Sequence, residues 1–202
     1  MAWKVENEWN KKAETINSTV LEQKAIKRVI KNNNLHYLKA KALSDLCVKP
    51  LYGQQYRIVT EKQFNAYALI LYLLQTEIIE ELNIAIYRIN EPTVVSIIEL
   101  IEQGKIKRAN FVISNFFNQT KKPEKWAILL RDYCSKSDKC THRYTHNHAK
   151  VVTIKTNSGY YVFEGSGNMS DNARIEQYVF ENNKDVFDFH TNWIKGLIDG
   201  VR

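Results

Sequence analysis

Strand-like and helix-like segments alternate along this chain from residue 82 onward, and this alternation constrains the fold more than any other feature. Residues 82–89 are mostly apolar and β-branched, which predicts a strand, while Asn90 and Pro92 predict the start of a helix. A second strand is predicted over residues 108–116, and a second helix follows Pro123. Alternation at this spacing indicates an α/β protein with parallel strand pairs.

Two more helices are predicted nearer the N-terminus. Thr60 and Gln63 have the spacing of a capping box, so a strongly apolar helix over residues 64–79 is expected in the core. Residues 11–33 carry apolar side chains among charged ones, which indicates an exposed helix. A break is expected at residues 50–54.

Positive charge is concentrated before this break. The chain of 202 residues has 29 Lys and Arg against 22 Asp and Glu, a net charge of +7. Residues 1–50 hold ten of these basic residues and five of the acidic ones. This surplus favours an anionic partner such as nucleic acid, although a solvated helix face has the same composition.

The sequence also bears on compartment. Its longest apolar run covers nine residues, 66–74, whereas a membrane-spanning helix needs about twenty. The first eight residues lack the basic start and apolar stretch of a signal peptide. Cys47, Cys134 and Cys140 are too few, and odd in number, for a disulfide framework. We therefore expect a cytoplasmic protein with free thiols and no stable membrane association.

The residues that carry chemistry lie between residues 142 and 182. If residues 142–154 form one extended strand, its even-numbered residues share a face, and these include His142, Tyr144, His146, His148 and Lys150. A turn at residues 157–159 predicts a hairpin to a second strand. A small-residue loop at 164–170 follows, whose amide and hydroxyl groups can approach an oxyanion closely, and residues 175–182 predict one more strand.

These segments contain three motifs in a fixed order: His148-Ala149-Lys150, then Gly165-Ser166-Gly167-Asn168, then Glu176. In this pattern the chain resembles the phospholipase D superfamily, whose signature pairs H-x-K with a later G-S-x-N and an acidic residue on the following strand. The full signature has an aspartate five positions after the lysine, where this chain has Lys155.

The resemblance implies a fold and a domain division. It predicts a phospholipase D-like α/β fold, with a mixed sheet flanked by helices, over a catalytic domain at residues 51–202. Residues 1–50 would then form a basic helical extension, for which the resemblance offers no counterpart.

The resemblance also implies a phosphodiesterase centre. His148 would attack phosphorus, Glu176 would orient its ring, and Lys150, Asn168 and Ser166 would stabilise charge on the phosphoryl oxygens. Such a mechanism needs no metal and no cofactor. In the alternative, non-catalytic interpretation, His148 and Lys150 face solvent, and Glu176 pairs with Arg174 or Lys155 at the surface.

Two histidines are needed, one as nucleophile and one as proton donor, but the chain has one H-x-K motif. The resemblance to single-motif members therefore implies a homodimer in which His148 of each chain meets at a twofold axis.

The substrate class is predicted from size, charge and the single motif. They favour nucleic acid and therefore a nuclease. Its substrate could be DNA or RNA, with DNA expected more than RNA. The alternatives are a catalytically weak nucleic-acid-binding protein or a lipid phosphodiesterase. Substrate contacts are expected from His142, Tyr144, His146, Gly165 and Gly167.

Two interpretations of the neighbouring residues stay open. Cys134, Cys140, His142 and His146 could supply four zinc ligands. The aromatic residues before and within this region could stack on bases or lie in the core; they are Phe116, Phe117, Trp126 and Tyr144.

Overall fold

The computed structural model describes residues 23–29, 34–39, 49–61, 65–118, 123–170 and 175–200. These residues form nine strands and four α-helices. In chain order they are β1 (Gln23–Val29), β2 (Asn34–Lys39), β3 (Gln54–Glu61), α1 (Ala66–Leu74), β4 (Ile79–Ile86), α2 (Glu91–Glu102), β5 (Ala109–Ser114), α3 (Lys125–Cys134), β6 (Cys140–Thr145), β7 (Lys150–Thr156), β8 (Tyr160–Gly165), β9 (Ile175–Asn182) and α4 (Lys184–Asp199).

All nine strands join one mixed sheet in the order β2-β1-β3-β9-β8-β7-β4-β5-β6. The pairs β4–β5 and β5–β6 are parallel, as the alternation of strands and helices predicts. The other neighbours are antiparallel, including the predicted β7–β8 hairpin. The predicted mixed α/β sheet flanked by helices is confirmed.

Helices cover both faces of the sheet. The larger core lies where α1, α2 and α3 pack on one face, through side chains such as Leu69, Ile97 and Leu130. On the other face α4 packs over the centre of the sheet, where Ile194 contacts Ala85, Val112 and Val151. Burial on both faces explains why β5 is buried along its whole length.

The start of α2 is where the sequence predicts it. The side chain of Asn90 accepts a hydrogen bond from the backbone N–H of Thr93 at 3.0 Å, and Pro92 lies in the first turn. The helix ends just before Gly104, which has a positive φ of 71°. The predicted helix over residues 64–79, by contrast, is shorter in the structure.

That helix, α1, begins after Asn65, whose side chain caps the N–H of Tyr67 at 2.9 Å. The predicted capping box is therefore wrong. Thr60 lies within β3 opposite Glu176, because β3 continues to Glu61.

The predicted exposed helix over residues 11–33 falls partly outside the described residues. Its described part is wrong as a helix, since Gln23–Val29 forms β1, which pairs antiparallel with β3. The β-branched residues Ile26 and Val29 favour an extended chain. Backbone pairing also satisfies the outer edge of β3, which local periodicity cannot reveal. The division at residue 50 stays a prediction.

Residues 142–154 do not form one strand, so the predicted single row of side chains is wrong. β6 ends at Thr145 and β7 begins at Lys150. His146 and His148 therefore lie in the connecting turn, not on a strand face shared with His142.

The structure also bears on the predictions about the cysteines and about membrane-spanning helices. Cys134 and Cys140 form a disulfide, so the prediction of free thiols is wrong for this pair; Cys47 lies outside the described residues. No α-helix within the described ranges is long and apolar enough to cross a membrane.

Candidate active site

The H-x-K motif lies where the β6–β7 turn enters β7, at the centre of the sheet. The ammonium of Lys150 donates to the carbonyl of His148 at 3.0 Å and lies 3.4 Å from its Nδ1. The other ring nitrogen, Nε2, is therefore on the side of the ring away from this contact. The His148 side chain is exposed, so its ring is accessible from solvent.

Asn147 fixes the turn that carries the motif. Its amide nitrogen donates to the carbonyl of Ile86, at the end of β4, at 3.2 Å and to that of Val112 on β5 at 2.9 Å. Its carbonyl oxygen accepts from the N–H of Ala149 at 2.9 Å. One side chain thus ties the β6–β7 turn to two strands that are distant in sequence.

The Gly-Ser-Gly-Asn loop follows β8, and its first glycine lies against β9. A Cβ atom at Gly165 would come within 2.0 Å of the carbonyl oxygen of Gln177, so only glycine fits there. The next residue, Ser166, donates from its hydroxyl to the Glu176 carboxylate. Its Oγ also accepts from the N–H of Gln177 at 3.0 Å. The loop and β9 therefore position Ser166 and Glu176 together.

Asn168 connects this loop to the end of β4. Its side-chain oxygen accepts from the backbone N–H of Arg88 at 3.1 Å. Next to it, Met169 forms a parallel bridge with Ile89. Because the carbonyl oxygen of Asn168 is occupied by a backbone donor, its NH₂ group is the part left to bind an anionic oxygen.

The aromatic ring of Tyr87 lies beside both polar residues of the H-x-K motif. Its centroid lies 4.8 Å from the His148 ring, and the Lys150 ammonium lies 5.7 Å from the same centroid. Burial lowers the pKa of Lys150, while the charge of Glu176 opposes this shift. Glu176 is thus close enough to influence Lys150 electrostatically, although its carboxylate bonds Ser166. Its predicted role in orienting His148 stays a prediction.

Two predicted substrate-binding residues on β6 pack against α3. The hydroxyl of Tyr144 donates to the carbonyl of Ala127 at 2.8 Å. Burial lowers the pKa of His142, and the charge of Arg131 adds to this effect. His146 is exposed in the same turn as His148, while Gly167 is buried in the loop. Substrate contact by these residues stays a prediction.

The structure bears on both open interpretations, the base-stacking aromatic residues and the zinc ligands. Phe117 and Trp126 are buried in the core, whereas Phe116 is 61% exposed. The disulfide occupies the two thiols that the proposed zinc set required.

Three residues that complete this region were missed by sequence reasoning: Tyr87, Arg88 and Asn147. The first two directly follow β4, and side chains beyond the carboxyl ends of parallel strands commonly form sites in α/β proteins. That rule was a usable signal for them. Asn147 gave no such signal, because its partners are backbone carbonyls of other strands.

The resulting site lies beyond the carboxyl end of β4, at the centre of the sheet. It holds an exposed imidazole, an ammonium beside it, a serine–carboxylate pair and the side-chain amide of Asn168. No protein-family model matches the chain, and no curated protein matches it in sequence.

Solved structures share the fold. Polyphosphate kinase from Porphyromonas gingivalis has a TM-score of 0.54 at 15% identity, with 73% of this chain and 26% of that one covered. NucT from Helicobacter pylori has a TM-score of 0.50 at 16% identity, with 72% and 96% covered. Nuc from Salmonella typhimurium, a phospholipase D family member, has a TM-score of 0.49 at 15% identity, with 65% and 86% covered.

The chain therefore has the phospholipase D-like fold, which confirms at the level of the fold the resemblance seen in its motifs.

Proposed function

We propose that this protein is a metal-independent phosphodiesterase that hydrolyses nucleic acid, DNA in preference to RNA, through a phosphohistidine intermediate. The observation that carries the proposal is the convergence of His148, Lys150 and Asn168 on the end of β4. Lys150 contacts His148 directly, and Asn168 is fixed by the N–H of Arg88, next to the Tyr87 ring that His148 faces.

The chemistry proceeds in two displacements. Nε2 of His148 forms a bond to phosphorus while the bond from phosphorus to the leaving oxygen breaks, and a second histidine protonates that oxygen. Water then attacks the phosphohistidine, gives its proton to the second histidine and releases His148. Lys150, the NH₂ of Asn168 and the Ser166 hydroxyl stabilise negative charge on the phosphoryl oxygens in both steps.

The second histidine comes from a second copy of the chain. One H-x-K motif per chain supplies one such imidazole, and a twofold axis through the cleft supplies the other. Within the chain, His190 is a poorer candidate because its Nδ1 accepts from Trp193 at 3.1 Å and its Nε2 lies 3.5 Å from Glu164.

Mixing wild-type protein with inactive His148→Ala protein tests this composite site. At a fourfold excess of the variant, about one wild-type subunit in five keeps a wild-type partner, so activity falls about fivefold after subunits exchange. Activity is measured at mixing and again after exchange, and light scattering gives the oligomeric state. A protein that cleaves as a monomer would contradict the dimer and point to His146 or His190 as the acid.

Nucleic acid is favoured over lipid because of charge. The chain carries a net charge of +7, and neutralisation of phosphates by Lys and Arg supplies most non-specific affinity for nucleic acid. Residues 1–50, with ten basic and five acidic residues, would contribute binding rather than chemistry.

Cleavage in the presence of EDTA tests the proposed function. Because nucleophile and acid are both imidazoles, cleavage of plasmid, single-stranded DNA or RNA should continue at an undiminished rate in excess EDTA. A phosphatidylcholine micelle serves as the lipid substrate in parallel. A requirement for added Mg²⁺ or Zn²⁺ would contradict the mechanism, and exclusive cleavage of the lipid would contradict the substrate class. Binding of nucleic acid without cleavage would support the catalytically weak alternative.

A further inference from the structure

A series of aromatic contacts leads from the catalytic turn to the surface. The Tyr87 ring, which faces His148, lies 5.4 Å from the ring of Phe117, and that ring lies 5.2 Å from Phe116, measured between centroids. Phe117 is 7% exposed and Phe116 is 61% exposed. The series therefore ends in one ring that solvent reaches.

Hydrogen bonds fix the backbone that carries this ring. Phe116 lies in a 3₁₀ turn, Asn115–Phe117, directly after β5. Its N–H donates to the Ser114 hydroxyl at 3.3 Å. The carbonyl of Phe117 accepts from the N–H of Glu124 at 3.1 Å. Because the backbone is already ordered, only the rotation of the side chain is lost when a flat partner stacks on the ring.

A cation lies beside the same rings. The guanidinium carbon of Arg88 is 5.5 Å from the Phe117 centroid, and the Arg88 side chain is exposed. The backbone N–H of the same residue holds Asn168. Arg88 thus connects the phosphate-binding loop to the aromatic series. With Lys150 near Tyr87, two positive charges flank a path that ends in an exposed ring.

We propose that Phe116 stacks on an unpaired base and that Arg88 binds a backbone phosphate near that base, so that the substrate is single-stranded nucleic acid. This inference rests on the proposed function and names its substrate class. The combination fits a single strand because its bases offer free π-faces between regularly spaced phosphates. In a duplex those faces are covered by neighbouring base pairs, and a phospholipid headgroup carries no base.

Binding measurements on the inactive His148→Ala protein test the inference without cleavage. Three DNA ligands of equal length are compared by fluorescence anisotropy: a single strand, the same strand with abasic sites, and the duplex. Adding Phe116→Ala should weaken binding of the intact single strand about tenfold and leave the abasic strand and the duplex unchanged. Phe189→Ala is the matched control, because Phe189 on α4 is 67% exposed and lies outside the aromatic series.

A second variant tests the cation. Arg88→Gln should weaken both single strands and reduce the slope of log affinity against log salt by about 0.7. Equal effects of Phe116→Ala on all three DNA ligands, or no effect on the intact strand, would overturn the inference.

The two proposals fail separately. Base-dependent binding without cleavage by the wild-type protein would refute the proposed nuclease and support the stacking surface. Cleavage by a protein whose binding does not depend on Phe116 would support the proposed nuclease and refute the stacking surface.

Discussion

His148→Ala is expected to lower the rate of cleavage by about 10⁴-fold or more, because removal of a covalent nucleophile leaves only binding and electrostatic stabilisation. The His148 side chain is exposed, so the loss should occur with the fold intact. Single-turnover cleavage in EDTA measures the chemical step, and the midpoint of thermal unfolding, Tm, should stay within about 2 °C of wild type.

Chemical rescue distinguishes loss of the imidazole from loss of shape. In His148→Gly, added imidazole should restore part of the cleavage rate, since the side chain projects from an exposed turn. His146→Ala is the comparison variant, because His146 is exposed in the same turn. It should change kcat less than about tenfold. A His148→Ala protein that keeps a hundredth or more of wild-type activity would contradict the nucleophile assignment.

Much of the fold could be predicted because its signals are local. The parallel strands β4 and β5 are separated by a helix that Asn90 caps and whose first turn contains Pro92. The β7–β8 hairpin follows from a short turn between apolar segments. Each of these features depends on residues that are close in sequence, so period and turn residues suffice to find them.

The errors have non-local causes. The turn between β6 and β7 exists because Asn147 bonds to backbone carbonyls of β4 and β5, and no periodicity reports such partners. β1 forms a strand because the edge of β3 offers backbone groups to pair with. The disulfide is an exception, because Cys134 and Cys140 are only six residues apart; it was missed because an odd number of cysteines predicted free thiols.

The residues of the candidate site likewise include some with a signal in the sequence and some without one. His148, Lys150, Ser166, Asn168 and Glu176 could be named from sequence because the order of the motifs is itself the signal. Tyr87 and Arg88 belong to no motif, and they enter the site because β4 lies beside β7 in the sheet. Sequence reasoning thus named the residues proposed for the chemistry and Phe116 as a possible base-stacking ring, but it missed Arg88, which is proposed to bind phosphate.

Gly165→Ala is expected to reduce both stability and activity strongly, because there is no room for a side chain between β8 and β9. The added Cβ would lie 2.0 Å from the carbonyl oxygen of Gln177 and 2.8 Å from Cδ1 of Tyr178. The first of these atoms is backbone, so the two strands must separate. We expect a loss of about 2–3 kcal/mol in the free energy of unfolding, which corresponds to a fall in Tm of roughly 5–10 °C.

The same separation would move the catalytic loop. The N–H of Ser166 donates to the displaced carbonyl of Gln177 at 3.0 Å, and the Ser166 hydroxyl bonds Glu176. A shift of about 1 Å at reacting groups can cost on the order of 100-fold in rate, so kcat should fall by about that factor at a temperature where the variant is folded. Thermal unfolding and single-turnover cleavage measure the two effects.

Ser166→Ala is the matched control, because it removes the hydroxyl next to Gly165 but adds no atom between the strands. It should cost about 1 kcal/mol or less in the free energy of unfolding, well below the cost of Gly165→Ala. If the two variants unfold at the same temperature, the hydroxyl rather than the close approach of β9 stabilises the loop. If Gly165→Ala unfolds at the same temperature as wild type and cleaves at the same rate, β8 and β9 do not approach as closely as the 2.0 Å distance implies. Glu176 would then not be held beside Ser166 in the way that the proposed site needs.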